Sequence, residues 1–282
     1  MTPCNSAIKQ YILKKAMSDF KENAMRSLMQ YNKIIANIKV WHLFIFALLL
    51  ATFTAILNPL PANDVVGRYA PAAESFAEGN WLYAFHPRFG VYFTAFAGFF
   101  VWLIGINGVI ACKVVSILFF SISVFPLYKL FNSIWNNKIA LQATLLYCLC
   151  SHLLRYAGDG VRDNGKTLAL SLIGCGLVSF YKKDNSIKNI LFFSLGCALL
   201  TVLRGEGALI ALCCGIAGVF LLKQWRPILF GTAMFFLLIS PQLVYNFIII
   251  GYPVPELRHG VILDKAGIPP KSAPVKISET AR

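Results

Sequence analysis

Eight apolar runs separated by short polar connectors set the plan of this chain: Trp41 to Leu60, Val91 to Gly105, Val109 to Phe125, Ile139 to Leu154, Leu168 to Tyr181, Ile190 to Leu203, Ala208 to Leu222 and Ile228 to Ile250. Most of these runs are apolar all the way round rather than on one helical face, which marks helices surrounded by hydrocarbon or protein on every side. The first run has no charged residue. At 1.5 Å rise per residue, a run of roughly 20 residues is long enough to cross a bilayer core as a helix.

Not all eight can cross. An even number of crossings would put both chain ends on one side and would scatter the basic connectors. Lys9, Lys14, Lys15, Lys21, Arg26, Lys33 and Lys39 crowd the segment before the first run, and basic residues recur at Lys129 to Lys138, at Lys182, Lys183 and Lys188, and at Lys223 to Arg226. Short basic connectors favour the cytoplasmic side. These four share a side only if one run between Asp64 and Lys129 stays on the outer face. Val91 to Gly105 is the weakest candidate for a span, being short, interrupted by glycine and preceded by His86-Pro87-Arg88-Phe89-Gly90. The expected fold is therefore an all-α integral membrane protein of about seven transmembrane helices, with juxtamembrane or re-entrant helices in a first outer loop spanning 61–108. The expected organisation is a basic cytoplasmic segment over 1–40, a transmembrane module over 41–255 and a polar tail over 256–282, which carries basic residues and lies outside.

Composition agrees with the pattern. Hydrophobic residues make up 57% of the chain and charged residues 13%, with a mean hydropathy of +0.65. Soluble domains carry about twice that charged fraction, which excludes a soluble protein. The balance of 26 Lys+Arg against 12 Asp+Glu would suggest a nucleic-acid partner in a soluble chain. Here it is explained by the cytoplasmic connectors, and no nucleic-acid partner is expected. The segment over 1–40 reads either as an amphipathic helix on an anionic leaflet or as a solvated basic tail. It is not a cleavable signal peptide, because the apolar run is too long and begins too late. Seven of the eight cysteines lie in or beside apolar runs, where they serve as small packing residues, and none shows zinc-type spacing. No Gly-rich phosphate loop, nucleophile elbow or dinucleotide fingerprint occurs.

This topology gathers Asp64, Arg68, Glu74, Glu78, His86, Arg88, Asp159, Arg162, Asp163, Lys166, Arg204 and Glu206 on the outer face, with Lys113 one turn into its span. Lys113 reads equally as a functional cation or as a lysine snorkelling to the head groups. Acids and bases sharing a face beside lipid suit group transfer on a lipid phosphate: cations stabilise the leaving phosphate and a carboxylate handles the acceptor proton. His86 could ligate a divalent metal with Asp64 or simply bond to a backbone carbonyl. No metal-ligand set or cofactor is specified by the residues.

Several motifs carry a family resemblance. Asn63-Asp64, Tyr69, Ala73, Glu78-Gly79-Asn80-Trp81 and His86-Pro87-Arg88-Phe89-Gly90-Val91-Tyr92 resemble the first outer loop of the GT-C glycosyltransferases, the polyprenyl-phosphate-sugar-dependent enzymes that include protein mannosyltransferases and aminoarabinose transferases. Gly105-Ile106-Asn107-Gly108 with Ala111-Cys112-Lys113, then Arg162-Asp163-Asn164, Leu203-Arg204-Gly205-Glu206-Gly207, and Ser240-Pro241 through Tyr245-Asn246 to Gly251-Tyr252-Pro253 resemble later motifs of the same family, in order. The acid pair of the family is reduced to Asn63-Asp64, the second proline after His86 is Arg88, and Lys113 stands where the family has arginine. The resemblance covers about Trp41 to Pro255; family members usually continue into further spans.

The resemblance implies a membrane glycosyltransferase working at the extracytoplasmic face of the cell inner membrane, or of the endoplasmic reticulum in a eukaryote. The donor would be a polyprenyl-phosphate-linked sugar and the acceptor a lipid, glycan or protein. Asp64 would take or orient the acceptor proton and Asp163 would position the acceptor or tune Asp64. Lys113, Arg204 and Arg162 would neutralise the phosphate, with His86, Arg68 and Tyr69 lining the donor site. Displacement without a covalent intermediate would invert the sugar. Two other classes compete: a non-catalytic or fragmentary protein that binds a lipid-linked sugar, and a transporter. The transporter is disfavoured by spans almost free of ionisable groups and by the lack of internal repeats.

Overall fold

The computed structural model describes residues 38–80, 91–203, 206–220, 223 and 225–250, and these are all-helical, with no strand among them. The basic segment up to residue 37, the loop containing His86 and Arg88, the connector containing Arg204, and the tail from 251 onward lie outside the described residues.

Among the described residues eleven α-helices follow in order: α1 Val40–Leu57, α2 Ala70–Ala77, α3 Val91–Ile104, α4 Gly108–Ile122, α5 Val124–Ile134, α6 Asn137–Cys148, α7 Ser151–Asp159, α8 Asp163–Tyr181, α9 Ile187–Leu203, α10 Glu206–Phe220 and α11 Trp225–Ile250. A π-helical turn over Val65–Tyr69 leads into α2. Three stretches are long and apolar enough to cross a membrane: Val40–Leu57, Gly108–Ile134, in which α4 and α5 run on as one rod, and Trp225–Ile248. Tyr92–Ile104, Ile187–Leu203 and Gly207–Phe220 are shorter apolar helices.

The exterior is apolar and much of the polar material faces in. Leu49, Ile56, Leu146 and Ile248 are each at least 65% exposed, whereas Thr94, Ser116, Asn164 and Asn246 are fully buried. A water-facing protein avoids so large an apolar surface; a lipid-facing one requires it. Buried Ser123, Thr144, Ser179, Ser194 and Thr201 return their hydroxyls to carbonyls four residues back in the chain, so these donors enter the packing satisfied. In α11, Pro241 cannot donate to the Leu237 carbonyl. The Ser240 hydroxyl donates to it at 2.8 Å instead.

Small residues set the closest helix approaches. A Cβ on Gly196 of α9 would lie 2.7 Å from the Ala169 oxygen and 2.8 Å from the Ile173 nitrogen of α8, and a Cβ on Gly176 of α8 would meet Phe193 of α9 at 2.6 Å. Backbone contact of this kind is how helices associate where lipid supplies little hydrophobic drive.

One expected feature takes a different form. The run Ile139 to Leu154 is not one rod: it breaks at Leu149–Cys150 into α6 and α7. The cause is visible in α7, where Ser151, His152 and Arg155 are exposed while Leu154, Ala157 and Gly158 are buried or nearly so, an amphipathic period that suits a helix lying against the bundle. The run Val91 to Gly105 becomes α3, whose first turn reaches the level of Phe119 deep in α4, with ring centroids of Phe93 and Phe119 6.3 Å apart. It then climbs beside α2, where Gly98 lies against Ala73 and Phe76, and ends at Gly105, whose φ of +75° favours glycine.

The bundle has two chemically different ends. At one, Lys129 donates to Asn189 at 3.0 Å and lies over the Phe192 ring, Lys182 donates to the Ser133 carbonyl, and Tyr128 donates to Asn137 at 2.7 Å. Asp184, in the connector between α8 and α9, is held below its usual carboxylate pKa by the Ser186 backbone N–H and hydroxyl and by Asn189. The basic connectors at 129–138 and 182–188 thus meet at one end. The other end holds the candidate site.

Candidate functional site

The C-terminus of α1 begins the site. The last carbonyls of a helix have no partner within it. Lys113 of α4 supplies one, its ammonium donating to the Asn58 carbonyl at 2.7 Å and to the Ala55 carbonyl at 3.3 Å. A cation at a helix C-terminus is also favoured by the helix dipole. The ammonium expected to meet a lipid phosphate therefore ties α1 to α4 in this structure. Replacing Lys113 with Met keeps the stem and removes the charge, so it is expected to cost about 1–2 kcal/mol of stability, measured as a lowered thermal midpoint of the purified protein.

Beyond α1 the chain is fastened to α7. The Asn58 side-chain amide donates to Asp159 Oδ1 at 2.7 Å, and the Ala62 backbone N–H donates to the Asp159 carbonyl at 3.3 Å. Arg155, one turn earlier in α7, pairs with the other carboxylate oxygen at 3.5 Å. Gly160 then closes α7 at φ +74°, and a Cβ there would lie 3.1 Å from the Lys113 backbone nitrogen. Only a residue without a side chain lets this turn pass so close to α4.

Asp64 sits at the entrance of the π-helical turn, with Arg68 Nη1 3.2 Å from its Oδ1 and both side chains about half exposed. Such a pair contributes little to stability, so Asp64 is held loosely and stays open to solvent. π-Helical turns carry an extra residue into a helix and frequently mark functional sites. Tyr69, at the end of the turn, is buried, its ring edge-on to Phe93 at 5.4 Å.

The N-terminus of α8 meets this turn from the other side. Arg162 is 7% exposed, with its guanidinium carbon 5.7 Å from the Tyr69 ring centroid, a cation–π arrangement. Asp163 pairs with Lys166 at 2.8 Å. Asn164 donates to the Leu153 carbonyl at 3.2 Å, and the Ser116 hydroxyl binds the carbonyls of Tyr156 and Val161, which locks the α7–α8 turn onto α4. Glu74 of α2 accepts from the Gly108 backbone N–H at 2.8 Å, placing a carboxylate at the N-terminus of α4.

Asp64, Arg68, Tyr69, Lys113, Arg162 and Asp163 are thus gathered at one end of the bundle. Of the remaining candidates, His86 and Arg204 lie outside the described residues; Leu203, next to Arg204, packs against Gly165 just behind Asp163. Among the described residues no group of three or more His, Cys, Asp or Glu side chains could hold a metal ion. Asn58 and Arg155 carry no motif, and Asp159 stands in the sequence only as one polar residue among many. The signal that could have singled out Asp159 and Arg155 is their spacing of four at the end of an amphipathic helix stopped by glycine.

The chain matches no protein-family model, and no curated protein or solved structure matches it significantly.

Proposed function

We propose that the protein is a multi-pass membrane glycosyltransferase of the GT-C kind, with about seven spans and its acidic and cationic end on the extracytoplasmic face. It would transfer a sugar from a polyprenyl phosphate to a hydroxyl of a lipid, glycan or protein acceptor. The observation that carries this reading is the meeting of the Asp64–Tyr69 turn with Arg162 and Asp163, nearly a hundred residues later in the chain, at one end of a bundle with an apolar exterior. A carboxylate open to solvent stands near cations at the level where a lipid-linked phosphate would lie. Asp64 takes or orients the acceptor proton, Arg162 and Arg204 stabilise the charge that grows on the leaving phosphate, and Asp163 positions Lys166 and the α8 N-terminus beside them. The bond from the anomeric carbon to the phosphate oxygen breaks as the acceptor oxygen attacks from the opposite side. The products are an inverted glycoside and free polyprenyl phosphate.

A second reading, a non-catalytic binder of lipid-linked sugars, is favoured by one observation: Lys113 is committed to the α1 carbonyls rather than turned toward a ligand. The deciding experiment incubates the purified protein with polyprenyl-phosphate sugars of known identity and an acceptor extract. Release of free polyprenyl phosphate supports the transferase; donor binding without release leaves the binder. In the same preparation Arg204→Ala is expected to weaken donor affinity roughly 10- to 150-fold, the loss of one charge-assisted contact. Orientation is checked with single cysteines in a background whose native cysteines are replaced. Glu78→Cys is expected to react with an impermeant thiol reagent from outside intact cells, and Lys188→Cys only after permeabilisation. The reverse pattern refutes the topology.

A further inference from the structure

A cleft of about 630 Å³ opens between the C-terminus of α1, the 58–63 segment and α7, directly before Asp64. Its polar wall consists of Thr54, Asn58, Asn63, Ser151, Arg155 and Asp159. None of these belongs to the catalytic and phosphate-binding set described above. Small-molecule sites commonly have volumes of about 300–1,000 Å³ and combine apolar walls with a few fixed polar groups. The apolar wall here is Leu60, Pro61 and Ala62.

The charges of this wall restrict its ligand. Asp159 and Arg155, 3.5 Å apart, give the lining one anion and one cation, while the Lys113 ammonium behind the wall is engaged by the Asn58 and Ala55 carbonyls. A phosphate entering it would meet the Asp159 carboxylate, and an ammonium would meet the Arg155 guanidinium; each would exchange full hydration for a site of mixed sign. A neutral ring bearing several hydroxyls has no such conflict. Its hydroxyls can donate to the carboxylate and accept from the guanidinium and amides, and its C–H face can lie on Leu60 and Pro61. Asp159 is already ordered for such contacts. Its side chain is 17% exposed and fixed by Asn58 at 2.7 Å, so this acceptor is held before a ligand arrives, whereas Arg155, 76% exposed, is ordered on binding.

We infer that this cleft binds a neutral saccharide ring, with Asp159, Asn58 and Arg155 as its specificity-determining residues and with the ring presented beside Asp64. The biological role of that ring rests on the transferase reading. Its occupancy by a free sugar does not, because no lipid phosphate is involved.

The test uses the full-length protein in lipid nanodiscs and saturation-transfer NMR with the methyl glycosides of mannose, glucose, galactose and arabinose as probes. At least one glycoside is expected to receive saturation from the wild-type protein. Ser151→Trp, which fills the mouth of the cleft without touching the Asp159 contacts, is expected to abolish that transfer while keeping the wild-type thermal midpoint. Asp159→Asn is expected to weaken the same glycoside roughly tenfold or more, the loss expected when a charged acceptor is removed. Absence of transfer to all four glycosides, or equal transfer in a folded Ser151→Trp protein, overturns the inference. Displacement of the glycoside by inorganic phosphate at equal concentration would make the cleft an anion site and overturn it too. If the donor-release experiment is positive while these signals are absent, the cleft assignment falls and the transferase stands.

Discussion

Asp64→Asn is expected to lower sugar transfer by about 10²- to 10⁴-fold while leaving donor binding nearly intact, because the amide keeps the shape of the side chain but cannot accept a proton. The loss corresponds to about 3–5.5 kcal/mol of transition-state stabilisation. The fold should tolerate the change. The ion pair that Asp64 makes with Arg68 is half exposed and contributes at most about 1 kcal/mol. Initial rates of polyprenyl phosphate release, set against donor affinity measured on the same preparation, separate the two effects. A stable Asp64→Asn protein with the wild-type rate would show that the carboxylate is not the base.

A large effect on folding is expected at Gly196. A Cβ at that position would sit 2.7–2.9 Å from the Ala169 oxygen and from the nitrogen and Cγ1 of Ile173, and two of those three atoms are backbone. Backbone cannot rotate away, so α8 and α9 must separate along their shared face. Gly196→Ala is expected to cost about 1–3 kcal/mol, and Gly196→Leu to eliminate the monodisperse folded protein on size-exclusion chromatography. Gly215 of α10 is the control, since a Cβ there would meet nothing within 4 Å. Gly215→Ala should be neutral or stabilising by up to about 1 kcal/mol through helix propensity alone. Equal thermal midpoints for Gly196→Ala and wild type would contradict the tight α8–α9 contact.

How far the sequence foretells this arrangement depends on the kind of signal. The apolar runs anticipate α1, α4, α8, α9, α10 and α11, because a run without polar residues needs no partner to declare itself. Continuation of α4 into α5 and the break between α6 and α7 are not legible: no proline or glycine marks Leu149–Cys150, and the polar spacing of α7 is short enough to read as a connector. At the site, Asp64, Arg162 and Asp163 stand out as charges flanking apolar runs. The role of Lys113 does not. Whether a lysine near a helix end reaches water, a ligand or a neighbouring helix's carbonyls is decided by what packs beside it, and here that is a helix end 55 positions earlier. The Asn58–Asp159 bond, spanning 101 positions, is invisible for the same reason.

The polar face of α11 bears on how the protein is made. Gln242 and Asn246, buried and joined by a 2.8 Å hydrogen bond, lie on the opposite side from the exposed Phe236, Leu237, Val244 and Phe247. A nascent α11 leaving the translocon alone would turn these two side-chain amides toward acyl chains. Each poorly satisfied polar group in hydrocarbon costs several kcal/mol. The helix gains shelter against α9, where Ala198 and Val202 pack with Ile239. Stable placement of α11 should therefore depend on the helices before it being present to shelter Gln242 and Asn246, so that protein contacts rather than lipid alone retain it.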